Sequence, residues 1–132
     1  MAEPVYDLII TNGTLATHET SQAVDIAITD GRFAALGGVS AEQGREHIDA
    51  TGLTILPGVI DTQVHFREPG IEHKEDLQSG SLAAVMGGVT GVFEMPNTKP
   101  PTTTAEAVED KVARATNRMH CDFAFYVGGT HE

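Results

Sequence analysis

The sequence is poor in basic residues: it has 8 Lys and Arg against 19 Asp and Glu, and a formal net charge of −11. Binding to nucleic acid or anionic membrane surfaces relies on clustered Lys and Arg, and this chain contains no basic run. It also lacks an apolar stretch near the ~20 residues of a membrane span, and a leading basic segment followed by a long apolar one. We therefore expect a cytoplasmic protein without a nucleic-acid or membrane partner.

Cysteine is almost absent as well, because Cys121 is the single one in 132 residues. An intramolecular disulfide is excluded, and the apolar run CDFAFYV around Cys121 predicts a small buried thiol. The length suits one compact domain of ordinary size, since domains cluster at roughly 100 to 150 residues.

The first 57 residues consist of short β-rich runs separated by turns. Asn12-Gly13 and Asp30-Gly31 each lie between such runs, which is the strongest short-range signal for a hairpin with both turn residues at positive φ. Apolar and more polar residues alternate over 25–29, as expected of a strand with one buried face. This pattern predicts a small antiparallel sheet.

From Gly58 onward the pattern changes to strand, helix, strand, helix, strand. The predicted strands are GVIDTQVHF, VTGVFEMPN and CDFAFYVGG, and the predicted helices are EDLQSGSLAAVMGG and TTAEAVEDKVARATNRM. Such alternation is typical of right-handed crossovers and a parallel sheet. Three parallel strands with two helices leave both sheet edges open, so we expect the beginning of a longer protein.

The second predicted helix has the stronger signals. Thr103 and Glu106 have the spacing of a capping box at its start. Apolar residues then recur at helical spacing and predict a buried stripe: Ala105, Val108, Val112, Ala115 and Met119. The first helix is expected to end at Gly87-Gly88, because glycine adopts the left-handed conformation common at helix ends.

Four polar residues occupy every second position of the strand after Pro57: Asp61, Gln63, His65 and Arg67. Alternate residues of a strand share one face, whereas strands of parallel sheets are normally apolar on both faces. A polar row in such a strand needs partners, which are a metal, a ligand or other side chains.

The stretch PGVIDTQVHFREPG, followed by HKEDLQSGSLAAVMGGVT and MPNTKPPT, closely resembles the N-terminal part of dihydroorotases, in the amidohydrolase superfamily. The resemblance implies an α/β fold: a β-sandwich portion in residues 1–57, then in 58–132 the first strands and helices of a metal-dependent (β/α)8 barrel. A whole barrel takes about 250 residues, so the barrel would be incomplete here. The family's remaining metal ligands and its catalytic aspartate would come from later strands, which leaves no catalytic residue in this chain.

The resemblance also assigns roles to individual residues. His65 matches the second histidine of the family's His-x-His metal pair, and Gln63 stands where the first usually stands. Arg67 and Asn97 match the residues that hold the substrate carboxylate. One or two zinc ions are implied, although a neutral amide such as that of Gln63 is a poor zinc ligand.

Each of these residues also has a structural interpretation. His65 suits a core histidine bonded to a carboxylate, and Gln63 a purely structural amide. Arg67 could form an ion pair with Glu68 or Glu72, and Asn97 could form an Asx turn. Asp61 is expected to support the strand by hydrogen bonding. The group His73, Lys74, Glu75 and Asp76 is expected to be a solvated face with acids near a helix N-terminus.

Two functions of different classes follow from the resemblance. The first is a dihydroorotase that interconverts dihydroorotate and N-carbamoyl-L-aspartate in pyrimidine synthesis. The second is a non-catalytic relative that serves as a structural partner of aspartate transcarbamoylase; self-association into a homo-oligomer is the other expected assembly. Arg67 and Asn97 favour the enzyme, because a scaffold has no need to hold a carboxylate, and the HFREPG context of Arg67 favours dihydroorotases over hydantoinases and allantoinases. The missing histidine at Gln63 favours the scaffold.

Overall fold

The computed structural model describes residues 5–130 and divides the chain into two compact units, one up to Pro57 and the other from Gly58 onward. The first unit contains strands and one 3-10 turn, and the second alternates strands with helices. No helix among the described residues is long and apolar enough to cross a membrane.

The first unit has two small sheets rather than the predicted single one. Its strands are β1 (Tyr6–Thr11), β2 (Thr14–Ala16), β3 (Ser21–Ala23), β4 (Ile26–Thr29), β5 (Arg32–Leu36), β6 (Gly44–Asp49) and β7 (Thr54–Ile55), with a 3-10 turn at Ala41–Gln43. One sheet has the order β5-β4-β1-β6 and the other β3-β2-β7. The pairs β1–β6 and β2–β7 are parallel, so the prediction of a purely antiparallel sheet was wrong.

The two predicted hairpins have different outcomes. Asp30-Gly31 joins the antiparallel strands β4 and β5 with φ of 51° and 68°, which confirms that hairpin. Asn12 has φ of 63°, but β1 pairs with β4 and β6 while β2 pairs with β3 and β7. The Asn12-Gly13 hairpin was therefore wrong: the turn carries the chain from one sheet to the other, because non-local pairing partners outcompete the local one.

The interior of the first sheet lies on β1 and β4. Ile9 and Ile26 are fully buried, and Ala27 is buried as well. Neighbouring residues of β4 are thus enclosed on both faces, in contrast to the single buried face that the alternation predicted.

The second unit contains the predicted strand-helix alternation. Its elements are β8 (Val59–Val64), α1 (Leu77–Met86), β9 (Val89–Glu94), α2 (Ala105–Ala115) and β10 (Asp122–Phe125). The strands form one parallel sheet of order β10-β9-β8. Phe66, Leu77, Val92 and Ala115 are its buried core, and the half-buried Cys121 packs against it.

Helix α1 begins and ends at residues suited to those positions. The Asp76 carboxylate accepts from the Ser79 amide at 2.7 Å, and Ser79 completes a capping box. Gly88 follows the helix with φ of 87°, a conformation that glycine adopts without a steric penalty. These features agree with the expected acidic N-terminus and glycine end.

Helix α2 departs from the prediction in its cap and its buried face. The N-cap is Thr104, whose hydroxyl accepts from the Ala107 amide, so the predicted Thr103–Glu106 capping box was wrong. Lys111 is fully buried, whereas Val112 is 43% exposed. The predicted stripe was therefore partly right: Ala115 is buried and Met119 packs against the core. It was wrong at Val112, because Lys111 occupies the centre of the buried face.

Candidate active site

The candidate site lies where the parallel strands of the second unit end. The C-terminal ends of parallel strands meet at one edge of a sheet, which is where α/β proteins place their ligands. Here that edge carries the segment 65–76 after β8 and the segment 95–104 after β9. Two main-chain hydrogen bonds join these strand ends, from Met95 to Val64 and from Tyr126 to Glu94.

The predicted row of four polar residues does not persist along β8. The pairing of β8 with β9 shifts register between Asp61 and Val64, and the strand ends at Val64. Asp61 and Gln63 are exposed, and the Asp61 carboxylate accepts a hydrogen bond from the main-chain N–H of Gln63 at 2.9 Å. Asp61 thus supports the strand as expected, but Arg67 lies beyond the strand, where the alternation of faces no longer applies.

His65 and Asn97 meet across the two loops. The His65 Nδ1 lies 2.8 Å from the Asn97 Oδ1, and the imidazole is half-buried. Because an amide oxygen only accepts hydrogen bonds, Nδ1 is the donor in this contact, and in the neutral imidazole Nε2 then carries the lone pair. Neither a carboxylate partner for His65 nor an Asx turn at Asn97 is present among the described residues.

Arg67 follows His65 in a strained conformation. Its φ is 65°, in the left-handed region, which costs a non-glycine residue roughly 1–2 kcal/mol. The side chain is half-buried and makes no hydrogen bond or ion pair within residues 5–130. The expected alternative, a pair with Glu68 or Glu72, does not form, because Glu68 binds other arginines and Glu72 accepts from the Gly70 amide.

Glu68 is a site-supporting residue that the sequence did not indicate. It is 4% exposed, and its carboxylate accepts from both terminal nitrogens of Arg118, at 2.8 and 3.0 Å, and from the Leu77 amide at 3.1 Å. Arg114 lies 3.8 Å from the same carboxylate. Arg118 is fifty positions away in sequence, so no local pattern pointed to this pair, which raises the pKa of Arg118.

Lys111 and Glu94 form a second buried pair under the β9 loop. Lys111 Nζ lies 2.5 Å from the Glu94 carboxylate, 3.4 Å from the Met95 carbonyl oxygen and 5.2 Å from the centre of the Phe125 ring. The second carboxylate oxygen of Glu94 has no hydrogen-bond partner within residues 5–130. Burial raises the pKa of Glu94, and the hydrogen bond and charge of Lys111 oppose that rise.

The two loops also contact each other directly. The Lys99 amide donates to the Pro69 carbonyl at 2.9 Å. Gly70 has φ of 89°, and a Cβ atom there would collide with the Lys99 carbonyl. The β9 loop is closed by the Thr98 and Thr102 hydroxyls, 3.2 Å apart. The loops that carry Arg67 and Asn97 are therefore one connected structure.

The residues of this region supply only part of a metal site. The free Nε2 of His65 is a good zinc donor, but Gln63 offers a neutral amide, which zinc seldom accepts. Within residues 5–130 no cluster of three or more His, Cys, Asp or Glu side chains could hold a metal. The group His73 to Asp76 does not form one either, since Asp76 caps α1. The described residues therefore do not make a zinc site by themselves.

The family described as Dihydro-orotase-like matches residues 52–130. This stretch contains β8, both site loops and both helices. The chain belongs to this family of cyclic amide hydrolases, which includes allantoinases, dihydroorotases and hydantoinases.

Individual relatives carry different names. An allantoinase of Rubrobacter xylanophilus is 42% identical over 93% of this chain and 27% of its own length. A dihydroorotase of Streptococcus pneumoniae is 42% identical over 77% of this chain and 25% of its own length. An L-hydantoinase structure from Arthrobacter aurescens superposes with a TM-score of 0.88 at 34% identity, over 96% of this chain and 28% of its own. The chain thus spans about a quarter of these relatives.

Proposed function

We propose that the chain is the N-terminal part of a dihydroorotase, which interconverts dihydroorotate and N-carbamoyl-L-aspartate in cytoplasmic pyrimidine synthesis. The observation that carries the proposal is Arg67, a half-buried residue two positions after His65, whose guanidinium has no hydrogen-bond or ion-pair partner among the described residues. A guanidinium fork matches a carboxylate bidentately and stays charged at any working pH. Dihydroorotate carries such a carboxylate next to its ring amide.

The second candidate is allantoin hydrolysis, because several allantoinases match 90% or more of the chain. Allantoin has no carboxylate. An Arg67 that serves to bind a substrate carboxylate would therefore have no such role in allantoin hydrolysis. The two candidates therefore differ in what Arg67 does, which an assay of both substrates resolves.

One or two zinc ions belong to the proposal, with His65 as the ligand that this chain provides and the other ligands supplied by the rest of the protein. Zinc would polarise the ring amide carbonyl and activate water. Gln63 stands at the position where the resemblance puts a second histidine. We propose that it stays outside the metal's coordination, since its exposed amide is a weak donor for zinc.

The test is made on the full-length protein. Its metal content is determined by elemental analysis, and hydrolysis of dihydroorotate and of allantoin is assayed before and after Gln63→His. The proposal expects bound zinc and turnover of dihydroorotate in the unmodified protein. Turnover of allantoin alone would identify an allantoinase. Absence of both metal and turnover, unrescued by Gln63→His, would instead support the structural partner of aspartate transcarbamoylase.

A further inference from the structure

Three of the eight basic residues of this acidic chain form one stripe on α2 and the turn after it. These are Lys111 and Arg114, which are three residues apart on one face of α2, and Arg118 in the turn after the helix. Each of them contacts a buried glutamate next to the candidate site. We call this set the α2 basic stripe.

The stripe binds the β8 loop through Glu68. Both terminal nitrogens of Arg118 donate hydrogen bonds to the Glu68 carboxylate, and the Leu77 main-chain amide at the start of α1 donates to the same group. Bidentate arginine–carboxylate pairs fix direction as well as distance. The Glu68 side chain is 5% exposed, and it is bonded both to the start of α1 and to the turn after α2.

Arg67 is the residue between two fixed neighbours. On one side Phe66 is 6% exposed and packs so closely on Gly80 that a Cβ atom there would collide with its ring. On the other side lies Glu68. With both neighbours held and φ at 65°, the Cα–Cβ direction of Arg67 is determined, although its guanidinium makes no hydrogen bond or ion pair in the described chain.

The same stripe reaches the neighbouring loop. Lys111 bonds Glu94, the last residue of β9, and approaches the Met95 carbonyl two residues before Asn97. The Lys99 amide then joins this loop to Pro69. The residues that support the Arg67 segment and the Asn97 segment therefore all lie on α2 and the turn after it.

We infer that Glu68, held by Arg118, is a positioning residue that aims Arg67 at the substrate carboxylate. The inference rests on the proposed role of Arg67 in substrate binding. Glu68 does not touch substrate; it acts by keeping the strained Arg67 backbone in place. Without the Glu68–Arg118 pair, the segment after β8 relaxes toward unstrained φ values, and the Arg67 guanidinium no longer points in one direction.

The test uses Glu68→Gln in the full-length protein, because the amide keeps the size of the side chain and can still accept from the Leu77 amide. We expect KM for dihydroorotate to rise about tenfold while kcat changes less than about threefold. A merely structural role would lower the folded fraction, and so kcat, without moving KM. If Glu68→Gln does not fold, Arg118→Lys replaces it, since this change removes the fork but keeps the charge.

A matched control is Glu72→Gln, because Glu72 lies on the same loop but is exposed and accepts from the Gly70 main-chain amide. We expect its KM to equal that of the unmodified protein. Amide hydrogen exchange over residues 66–71 is recorded in parallel and does not depend on turnover. Glu68→Gln should accelerate exchange across that segment, and Glu72→Gln should affect at most Gly70.

The outcomes separate the two proposals. If the unmodified protein hydrolyses no dihydroorotate, the proposed function fails, and the exchange data alone decide whether Glu68 holds the loop. Unchanged exchange in Glu68→Gln overturns the inference, and so does a KM equal to that of Glu72→Gln in an active protein.

Discussion

Arg67 combines a left-handed backbone, partial burial and the absence of any protein partner in the described structure. Strain of this kind persists when the surroundings hold a residue in place, and such residues concentrate at functional sites. Asn97 differs, because its carbonyl oxygen is already engaged by His65. Of the two residues that we propose for the substrate carboxylate, Arg67 is therefore the one whose side chain is available, and Asn97 also contacts the imidazole.

Replacing Arg67 by glutamine tests this distinction. Because a hydrogen bond to a charged group contributes about 1.5–3 kcal/mol, we expect kcat/KM for dihydroorotate to fall by roughly one to two orders of magnitude in the full-length protein. Lys99→Gln is the control, since Lys99 is an exposed cation on the neighbouring loop. Equal losses in both variants would show that general positive charge, rather than the position of Arg67, matters.

Gly80 offers a second prediction at the scale of one residue. Alanine inside a helix is normally favoured over glycine by up to about 1 kcal/mol, but here its Cβ would collide with the Phe66 ring. Overpacking of this kind costs about 1–3 kcal/mol, so Gly80→Ala should lower the thermal unfolding midpoint. Gly87→Ala meets only ordinary contacts, and we expect it to leave the midpoint nearly unchanged.

Among the elements, α1 depends on its N-cap. The amide and hydroxyl of Ser79 lower the pKa of Asp76, so the folded state favours the ionised form. Its stabilisation is present above the ordinary carboxyl pKa and is lost as pH falls through the lowered value. Asp76→Ala should cost about 1 kcal/mol at pH 7, and the difference should shrink toward pH 2. Urea unfolding at both pH values measures it; a difference independent of pH would contradict the role of the carboxylate.

The strand-helix order of the second unit was predictable because each element has its own local period. The burial of Lys111 in α2 was not predictable. A lysine is expected to face solvent wherever it falls in a helical pattern, and Glu94, which pairs with it, lies seventeen positions away. Glu68 was missed for the same reason. At Asn12-Gly13 the local turn signal was correct for the backbone of Asn12 but could not reveal which strands pair. His65 and Asn97 were proposed as site residues from the resemblance, whereas their mutual contact required the structure.

For the whole molecule, the sheet of the second unit presents apolar side chains that the described chain does not cover. Ile60 is 63% exposed and Val127 58%, and Phe93, Phe123 and Tyr126 are exposed too. In addition, β8 and β10 each have a strand neighbour on one side only among the described residues. Open edges and apolar faces together favour association.

We therefore expect the isolated 132-residue chain to self-associate. Light scattering after size exclusion should give a mass above the 14.0 kDa of one chain, and Ile60→Ser with Phe123→Ser should reduce it. Phe33→Ser in the first unit, which is 75% exposed, is the matched control. A monomer with a cooperative unfolding transition would contradict this expectation.

The complete burial of Lys111 has a chemical consequence. The chain has three lysines, and Lys74 and Lys99 are exposed, so both should react readily with amine-directed acylating reagents. The Lys111 amine is 0% exposed and pairs with Glu94, so it can react only when α2 separates from the sheet. The rate of Lys111 acylation, measured by mass spectrometry relative to that of the other two lysines, therefore reports how often the second unit opens.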